Sequence, residues 1–197
     1  MTEGPDKRVA DGESFLEGKL LIAMPGMTDS RFAQTVIYMC AHSAKGAMGL
    51  VINRPIPGIS FSELMTQMDI AIGKDFDDLP VLYGGPVDTE RGFVLHTKDY
   101  ETAEATLPVS SEISLTATKD ILRAMAGGRG PKRALFALGY AGWGPGQVEG
   151  EFQDNGWLHC DAELDLVLGV EPERKWRAAL AHLGINPMGL SANAGRA

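Results

Sequence analysis

The sequence predicts a single compact domain of the α+β class, in which helices flank a mixed β-sheet. Short apolar segments rich in β-branched and aromatic residues predict strands, and they alternate irregularly with amphipathic segments that predict helices. A four-residue connection, Ser43–Gly46, is short enough for a β-hairpin, so the sheet is not purely parallel. The length of 197 residues suits one domain, and a hydrophobic content of 44% is ample for a core.

The first half of the chain predicts an arm, four strands and a helix. Residues 1–17 are polar and are predicted to form a flexible N-terminal arm, which leaves residues 18–197 as the domain. The helix follows Ser60, because Ser60 and Glu63 have the spacing of a capping box. The predicted strands are Gly18–Met24, Thr35–His42, Ala47–Asn53 and Val81–Tyr83. Two irregular segments are predicted between these elements, a break at Arg54–Gly58 and an acidic loop at Gly73–Leu79.

The second half predicts further strands and three helices. A helix containing Ile121, Leu122 and Met125 ends at two glycines, and a last helix at Pro172–Leu183 has Gly184 as its stop. A shorter helix or turn is predicted at Ala162–Leu168. The predicted strands are Gly92–Thr97, Ile113–Thr116, Ala134–Leu138 and Trp157–Cys160.

The segment from Arg133 to Leu158 is the most informative part of the chain. The buried strand is followed by a glycine-rich stretch, Gly139–Gly146, which predicts a loop because glycine adopts backbone conformations that other residues avoid. Pro145 suits the start of a short helix over Gln147–Phe152. The two aromatic residues of the loop, Tyr140 and Trp143, are predicted either to cover the core or to stack on a flat ligand.

Three blocks of this sequence resemble the YqgE/AlgH family. They are ALGYAGWGPGQVE with the tryptophan of NGWL, Leu20–Pro55, and Val81–Tyr100. They occur in the family's order and extend the resemblance from about Gly18 to the C-terminus. The resemblance implies a bifurcated, partly barrel-like sheet flanked by helices. The AlgH label suggests a regulator of exopolysaccharide genes, but the label does not imply a mechanism.

Charge and cysteine usage exclude several classes of function. The formal net charge of −8 and the pI near 5.0 disfavour direct binding to nucleic acid or to an anionic membrane. Because the N-terminus is acidic and polar, we expect no secretory signal, and no apolar run approaches the ~20 residues that a membrane span needs. Cys40 and Cys160 form no C-x-x-C pair, so we expect free thiols and a cytoplasmic location.

The strand ends that carry glycines predict one binding cleft. If these ends converge, they bring together two arginines, two aromatic residues and the polar start of the helix after Gly146. The candidate residues are Arg54, Tyr83, Gly84, Gly85, Arg91, His96, Trp143, Gly144, Gly146, Gln147 and Glu151. Such a cleft suits a small polar ligand or a peptide of a protein partner.

Other chemistry-bearing patterns favour structural interpretations. The glycine stretch lacks the Gly-Lys-Ser/Thr of a phosphate-binding loop and the third glycine of a dinucleotide fingerprint, so a turn is favoured. Cys40 and His42 share one face of a strand, which permits an activated thiol, but packing in the core is favoured. The histidines and cysteines predict no metal site, and no motif predicts a cofactor.

Taken together, the residues favour a non-catalytic, cytoplasmic binding or regulatory protein that acts through a small polar molecule or a protein partner. The alternative is an enzyme of unknown class whose active site is the same cleft. In that enzyme Glu151 or His96 acts as acid or base and Arg91 holds a small anionic substrate. A DNA-binding regulator is disfavoured by the acidic charge and by the lack of a helix-turn-helix pattern. The oligomeric state is not determined by the sequence.

Overall fold

One curled sheet of ten strands, with five helices packed on it, is present in the computed structural model, which describes residues 15–71, 79–102 and 105–186. The first strands and helix are β1 (Lys19–Ala23), β2 (Val36–Ser43), β3 (Gly46–Val51), β4 (Pro55–Ser60) and α1 (Phe61–Gln67). The middle elements are β5 (Pro80–Tyr83), β6 (Val87–Thr97), β7 (Thr106–Pro108), β8 (Ile113–Thr116) and α2 (Lys119–Ala126). The last are β9 (Ala134–Trp143), α3 (Gln147–Gln153), β10 (Trp157–Asp161), α4 (Leu164–Leu168) and α5 (Pro172–His182).

The sheet is a half-barrel that branches at β9. Its main path runs β10-β1-β2-β3-β9-β6-β8-β7, and all neighbours on this path are antiparallel. The second half of β9 pairs with β3, while the first half pairs with β5 in parallel, and β5 in turn pairs with β4. The mixed and partly barrel-like sheet that the resemblance implied is therefore confirmed.

Alternation along the strands divides the apolar side chains between the two faces of the sheet. In β2, Tyr38 and Cys40 belong to the largest buried cluster, whereas Ile37 and Met39 belong to a second one. The largest cluster includes residues of β1, β2, β3, β6, β8 and β9, and it also contains Trp176 of α5, so it is the interior of the half-barrel. The second cluster lies under α3, and a third lies under α1 and α2.

The predicted loop at Gly139–Gly146 is wrong over its first five residues, because Gly139–Trp143 is the second half of β9. Gly139 has a φ of 73° and stands at a shift in register between β6 and β9. A Cβ atom there would lie 2.5 Å from the carbonyl oxygen of Gly85. The glycine is needed for this close approach of two backbones, not for a turn. The turn itself is confined to Gly144–Gly146.

Two strands were missed, and β6 was predicted too short, as was β9. The predicted break at Arg54–Gly58 largely coincides with β4, which pairs with β5 at Pro55 and Ser60, and its prolines fit such an edge strand. The short edge strand β7 was also missed. Strand β6 begins at Val87, so Arg91 lies within it and not before it.

Most other predicted elements are present within a few residues of their predicted bounds. The capping box of Ser60 and Glu63 is formed at the start of α1. The acidic segment 72–78 and residues 1–14 of the predicted arm lie outside the described residues. Leu16, in the last part of that predicted arm, is buried in the cluster under α3.

Candidate functional site

A cavity of about 490 Å³ lies where the end of β9 meets the start of α3; we name it the Glu151 cavity. Its walls come from the β1–β2 connection, from β9 and from α3 with the turn that follows it. Its charged and aromatic lining residues, together with one glutamine, are Asp29, Arg31, Phe32, Trp143, Gln147, Glu151, Asp154 and Trp157. A cavity of this size is within the range of small-molecule sites.

The Glu151 carboxylate holds one wall of the cavity together. Its Oε2 atom accepts hydrogen bonds from the indole N–H groups of Trp143 at 3.1 Å and Trp157 at 2.8 Å. Its Oε1 atom accepts a bond from the side-chain amide of Gln147 at 3.1 Å. A carboxylate offers about four acceptor positions, so these three donors leave about one free.

The start of α3 is closed by its own side chain rather than by a ligand. The backbone N–H of Gly144 donates to Oε1 of Gln147 at 3.0 Å, and the other end of that amide donates to Glu151. Gln147 and Glu151 are four residues apart and therefore lie on one face of the helix. Gly146, with a φ of 72°, is the residue that turns the chain into α3.

The opposite wall carries a charged pair that was not predicted from the sequence. Asp29 accepts bonds from the backbone N–H of Arg31 at 2.9 Å and from its guanidinium at 2.7 Å. This hydrogen bonding lowers the pKa of Asp29 and raises the pKa of Arg31, which the negative charge of the Glu151 carboxylate raises further. A short Asp-Ser-Arg turn was the available signal, but turns of this composition are common on surfaces.

Arg54 supports this wall from behind. Its guanidinium donates to the carbonyl oxygens of Ser30 at 3.2 Å, Arg31 at 2.5 Å and Ala33 at 2.9 Å. Arg54 therefore positions the β1–β2 connection. Its predicted role as a direct contact of the ligand is corrected to that of a positioning residue, because all three of these donations go to the backbone.

Arg91 and the Glu151 cavity lie on opposite faces of β9. Arg91 lines a second cavity with Tyr140 and Phe93, and we name it the Arg91 cavity. Tyr140 packs against the interior cluster of the half-barrel, while Trp143 belongs to the cluster under α3. The two aromatic residues are three apart on a strand, so they face opposite sides. Gly142 and Trp143 line both cavities, so the region predicted as a single cleft contains two adjoining cavities that share this end of β9.

The Tyr83-Gly84-Gly85 segment lines neither of these cavities. The N–H of Gly84 donates to the carbonyl of Leu138 and its own carbonyl accepts from Val51, both at 2.8 Å. A Cβ atom on Gly85 would lie 2.0 Å from the backbone of Tyr140. The glycines are therefore required by contact between strands.

His96 lies far along the sheet from the Glu151 cavity. It pairs with Ala134, at the opposite end of β9 from Trp143. The side chain is fully buried, with its ring nitrogens 2.9 Å from the carbonyl oxygen of Thr97 and 2.9 Å from the hydroxyl of Thr116. Burial lowers the pKa of this histidine. His96 is therefore corrected from a cleft residue to a residue of the packed sheet.

Cys40 and His42 make separate contacts. Burial raises the pKa of the Cys40 thiol to about 12, so it is not an activated nucleophile. His42 accepts a bond at Nδ1 from the backbone N–H of Leu16 at 3.0 Å, and its Nε2 lies 2.7 Å from the carboxylate of Glu149. These contacts join the N-terminal segment to α3, which agrees with a structural interpretation.

Two searches of the described residues give negative findings. No group of three or more His, Cys, Asp and Glu side chains there could hold a metal ion. No helix in that part of the chain is long and apolar enough to cross a membrane.

Comparison with known proteins places the chain in a family. The model of a family described as AlgH-like matches residues 20–188. The chain belongs to the AlgH-like family. This confirms the resemblance that the three sequence blocks gave.

Relatives of this AlgH-like chain match it over nearly its whole length. A UPF0301 protein of Rhodopseudomonas palustris (strain HaA2) is 58% identical over 190 residues, covering 93% of this chain and 87% of the relative. The solution structure of the AlgH protein from Pseudomonas aeruginosa has a TM-score of 0.76 at 42% identity, covering 95% of this chain and 98% of that one. A crystal structure from Corynebacterium diphtheriae, at 16% identity and a TM-score of 0.68, covers 85% of this chain and 86% of its own and shows a shared fold.

Proposed function

We propose that this protein is a non-catalytic binding protein of the cytoplasm, and that the Glu151 cavity takes a small polar ligand bearing an amine. The observation that carries the proposal is the charge of the cavity wall. It contains three carboxylates, Asp29, Glu151 and Asp154, and one guanidinium, that of Arg31. Arg31 is engaged by Asp29, so the remaining charge is negative.

The aromatic residues of the cavity support the same ligand. Phe32, Trp143 and Trp157 line it together, and the rings of Phe32 and Trp157 meet edge to face with centroids 5.7 Å apart. Aromatic rings attract cations through the negative charge of their faces. An ammonium group can thus be held by a carboxylate and an aromatic wall at once. The free acceptor position on Glu151 offers it a charge-assisted hydrogen bond.

The position of the charged groups disfavours the enzyme suggested by the sequence. In that enzyme Glu151 or His96 must lie close to Arg91, because the acid or base has to contact the anionic substrate that Arg91 holds. Arg91 does not line the Glu151 cavity, and His96 of β6 is buried beside Ala134, at the opposite end of β9 from Trp143. A cytoplasmic location is supported by the buried, free thiols of Cys40 and Cys160.

A thermal-shift panel tests the proposal. Primary amines, quaternary ammonium compounds and matched carboxylates of the same skeleton would be compared with the wild-type protein and with Asp154→Asn. Asp154 is exposed and lies outside the hydrogen bonds that Glu151 accepts, so its replacement removes charge without disturbing that wall. A ligand at 100 times its Kd stabilises the fold by about 2.7 kcal/mol.

The expected result is a rise in Tm with amines, reduced in Asp154→Asn and unchanged in Arg91→Gln, which alters the other cavity. A shift with the carboxylates and none with the amines would contradict the proposed ligand class. No shift with any compound would contradict a small-molecule function for this cavity and favour a protein partner.

A further inference from the structure

The Arg91 cavity has about 710 Å³ of space and lies on the interior side of the half-barrel. Its walls come from β3, β6, β8 and β9 and from the edge strand β7. Met48 and Tyr140, which line it, also pack against the interior cluster. The cavity is therefore a place where the apolar interior of the sheet continues to the surface.

Exposed apolar side chains mark the mouth of this cavity. Leu107 is 46% exposed and Val87 is 36% exposed, and both line it. They are two of the four large hydrophobic residues that are exposed in the described part of the chain. Single exposed leucines need no explanation, but neighbouring ones around a concave apolar surface indicate a binding site.

The charge of this cavity is opposite to that of the whole chain. Lys45 and Arg91 line it, and none of the described residues in its wall is an aspartate or a glutamate. Neither cation forms an ion pair within the described residues. The guanidinium carbon of Arg91 lies 5.3 Å from the centre of the Phe93 ring, so the cation stands beside an apolar wall. The cavity is therefore locally cationic, although the whole protein has a net charge of −8.

The neighbours of Arg91 leave its charge available. Asp88 and Glu90 lie on the same strand, β6, and line a surface pocket together with Arg91. Glu90 also lines a different cavity with Gly92 and Leu122, on the side covered by α1 and α2. The carboxylate nearest in sequence is thus directed away from the apolar wall, as alternation along β6 requires.

We propose that the Arg91 cavity binds an amphiphile with a single alkyl chain and an anionic head, a medium-chain or long-chain carboxylate. The alkyl chain lies against Met48, Phe93, Leu107 and Leu115, and the carboxylate meets Arg91 and Lys45 at the mouth. Charge complementarity selects the head, because a guanidinium binds a carboxylate with two parallel hydrogen bonds. The apolar wall selects the chain. This site adjoins the Glu151 cavity, with which it shares Gly142 and Trp143, and its proposed occupant does not depend on the ligand there.

Calorimetric titration of the whole protein with octanoate, decanoate and dodecanoate, each below its micelle concentration, tests this inference. The affinity should rise with chain length, by at most about fourfold per methylene. Decan-1-ol and decylammonium have the same chain with a neutral or cationic head, and we expect both to bind at least roughly tenfold more weakly than decanoate.

Two double variants distinguish binding at this site from an effect of the net charge of the protein. Lys45→Gln with Arg91→Gln should raise the Kd for decanoate by roughly tenfold or more. Lys132→Gln with Arg177→Gln removes the same charge from exposed positions outside the cavity and should leave the Kd unchanged. Leu107→Glu places a carboxylate at the mouth and should abolish binding, while Asp154→Asn in the other cavity should have no effect.

Three results would overturn the inference. They are the absence of saturable decanoate binding, equal binding of decylammonium, and an equal loss of affinity in the two double variants. Association with anionic lipid vesicles without binding of free decanoate would also overturn it, because the proposed occupant is a single amphiphile and not a membrane surface.

Discussion

Trp143 and Trp157 donate their indole N–H groups to the same oxygen atom, Oε2 of Glu151, at 3.1 and 2.8 Å. One tryptophan ends β9 and the other begins β10, so a single carboxylate on α3 connects two strands that are not neighbours in the sheet. Both indole rings are largely buried. Their N–H groups therefore depend on Glu151 for a partner.

Replacement of Glu151 should lower stability. In Glu151→Ala both indole N–H groups and the Gln147 amide lose their acceptor, and we expect the free energy of unfolding to fall by about 1–3 kcal/mol. Glu151→Gln keeps one oxygen acceptor and should lose less. Urea denaturation measures both, and Glu173→Gln, on an exposed position of α5, is the matched control. Equal stability of Glu151→Ala and the control would show that the indoles find water instead.

Two glycines near the site should respond to alanine in opposite directions. A Cβ atom on Gly85 would meet the backbone of Tyr140 at 2.0 Å, at a φ of 153°, so Gly85→Ala must push β5 and β9 apart. We expect a loss of about 3 kcal/mol or more in the free energy of unfolding.

Gly150 lies inside α3, and nothing within 4 Å would meet a Cβ atom there. Gly150→Ala should therefore stabilise the protein by about 0.5–1 kcal/mol, because alanine is the better helix former. Thermal and urea unfolding of the two variants test both expectations. A harmless Gly85→Ala would mean that the contact between these strands is loose in solution.

The buried Lys175 should make stability rise with pH in the alkaline range. The residue is 2% exposed, its ammonium group donates to the carbonyl of Val167 at 2.6 Å, and burial lowers its pKa from 10.5 to about 8. Between these values the unfolded chain binds the proton and the folded protein does not. The free energy of unfolding therefore increases as pH rises from about 8 towards 10.5, by at most about 3 kcal/mol from this group.

Lys175→Met tests this expectation, because it removes the buried charge while keeping a long side chain. The variant should be more stable than the wild type at pH 7 and should lose the rise in stability between pH 8 and 10. Urea denaturation at four pH values measures it, and Lys132→Met is the exposed control. If the stability of the wild type falls steadily through this range, the pKa of Lys175 is not lowered in the folded protein.

Cys40 should be inert in the folded protein. Burial raises its pKa to about 12, so almost no thiolate is present at neutral pH. Ellman's reagent at pH 8 should label it only after unfolding. The Cys40→Ser variant reports the labelling of Cys160 alone, so the difference from the wild type is the labelling of Cys40. Rapid labelling of Cys40 in the native protein would revive the idea of an activated thiol beside His42.

Local patterns in the sequence were enough to predict many of the elements. The capping box at Ser60, the hairpin around Ser43–Gly46 and the short helix after Gly146 all depend on residues a few positions apart. Such interactions act in the same way wherever the segment lies. The family, and with it the partly barrel-like sheet, also followed from blocks of sequence.

The glycine stretch shows where local patterns were insufficient. Glycine permits both a loop and a strand that touches another backbone closely. Because Gly84 and Gly85 closely approach Gly139 and Tyr140, the stretch that begins at Gly139 forms a strand and not a loop. That contact joins segments more than fifty residues apart, so it could not be read from either one.

The sequence by itself determined the class of fold and the family. The tertiary structure alone decided that Tyr140 packs against the interior cluster and Trp143 in the cluster under α3. It also decided that Arg31 lines the Glu151 cavity and that Arg91 does not. The physical reason is that register and sheet curvature come from the packing of the whole chain. A shift of one residue in β9 would exchange the two faces and, with them, the two sites.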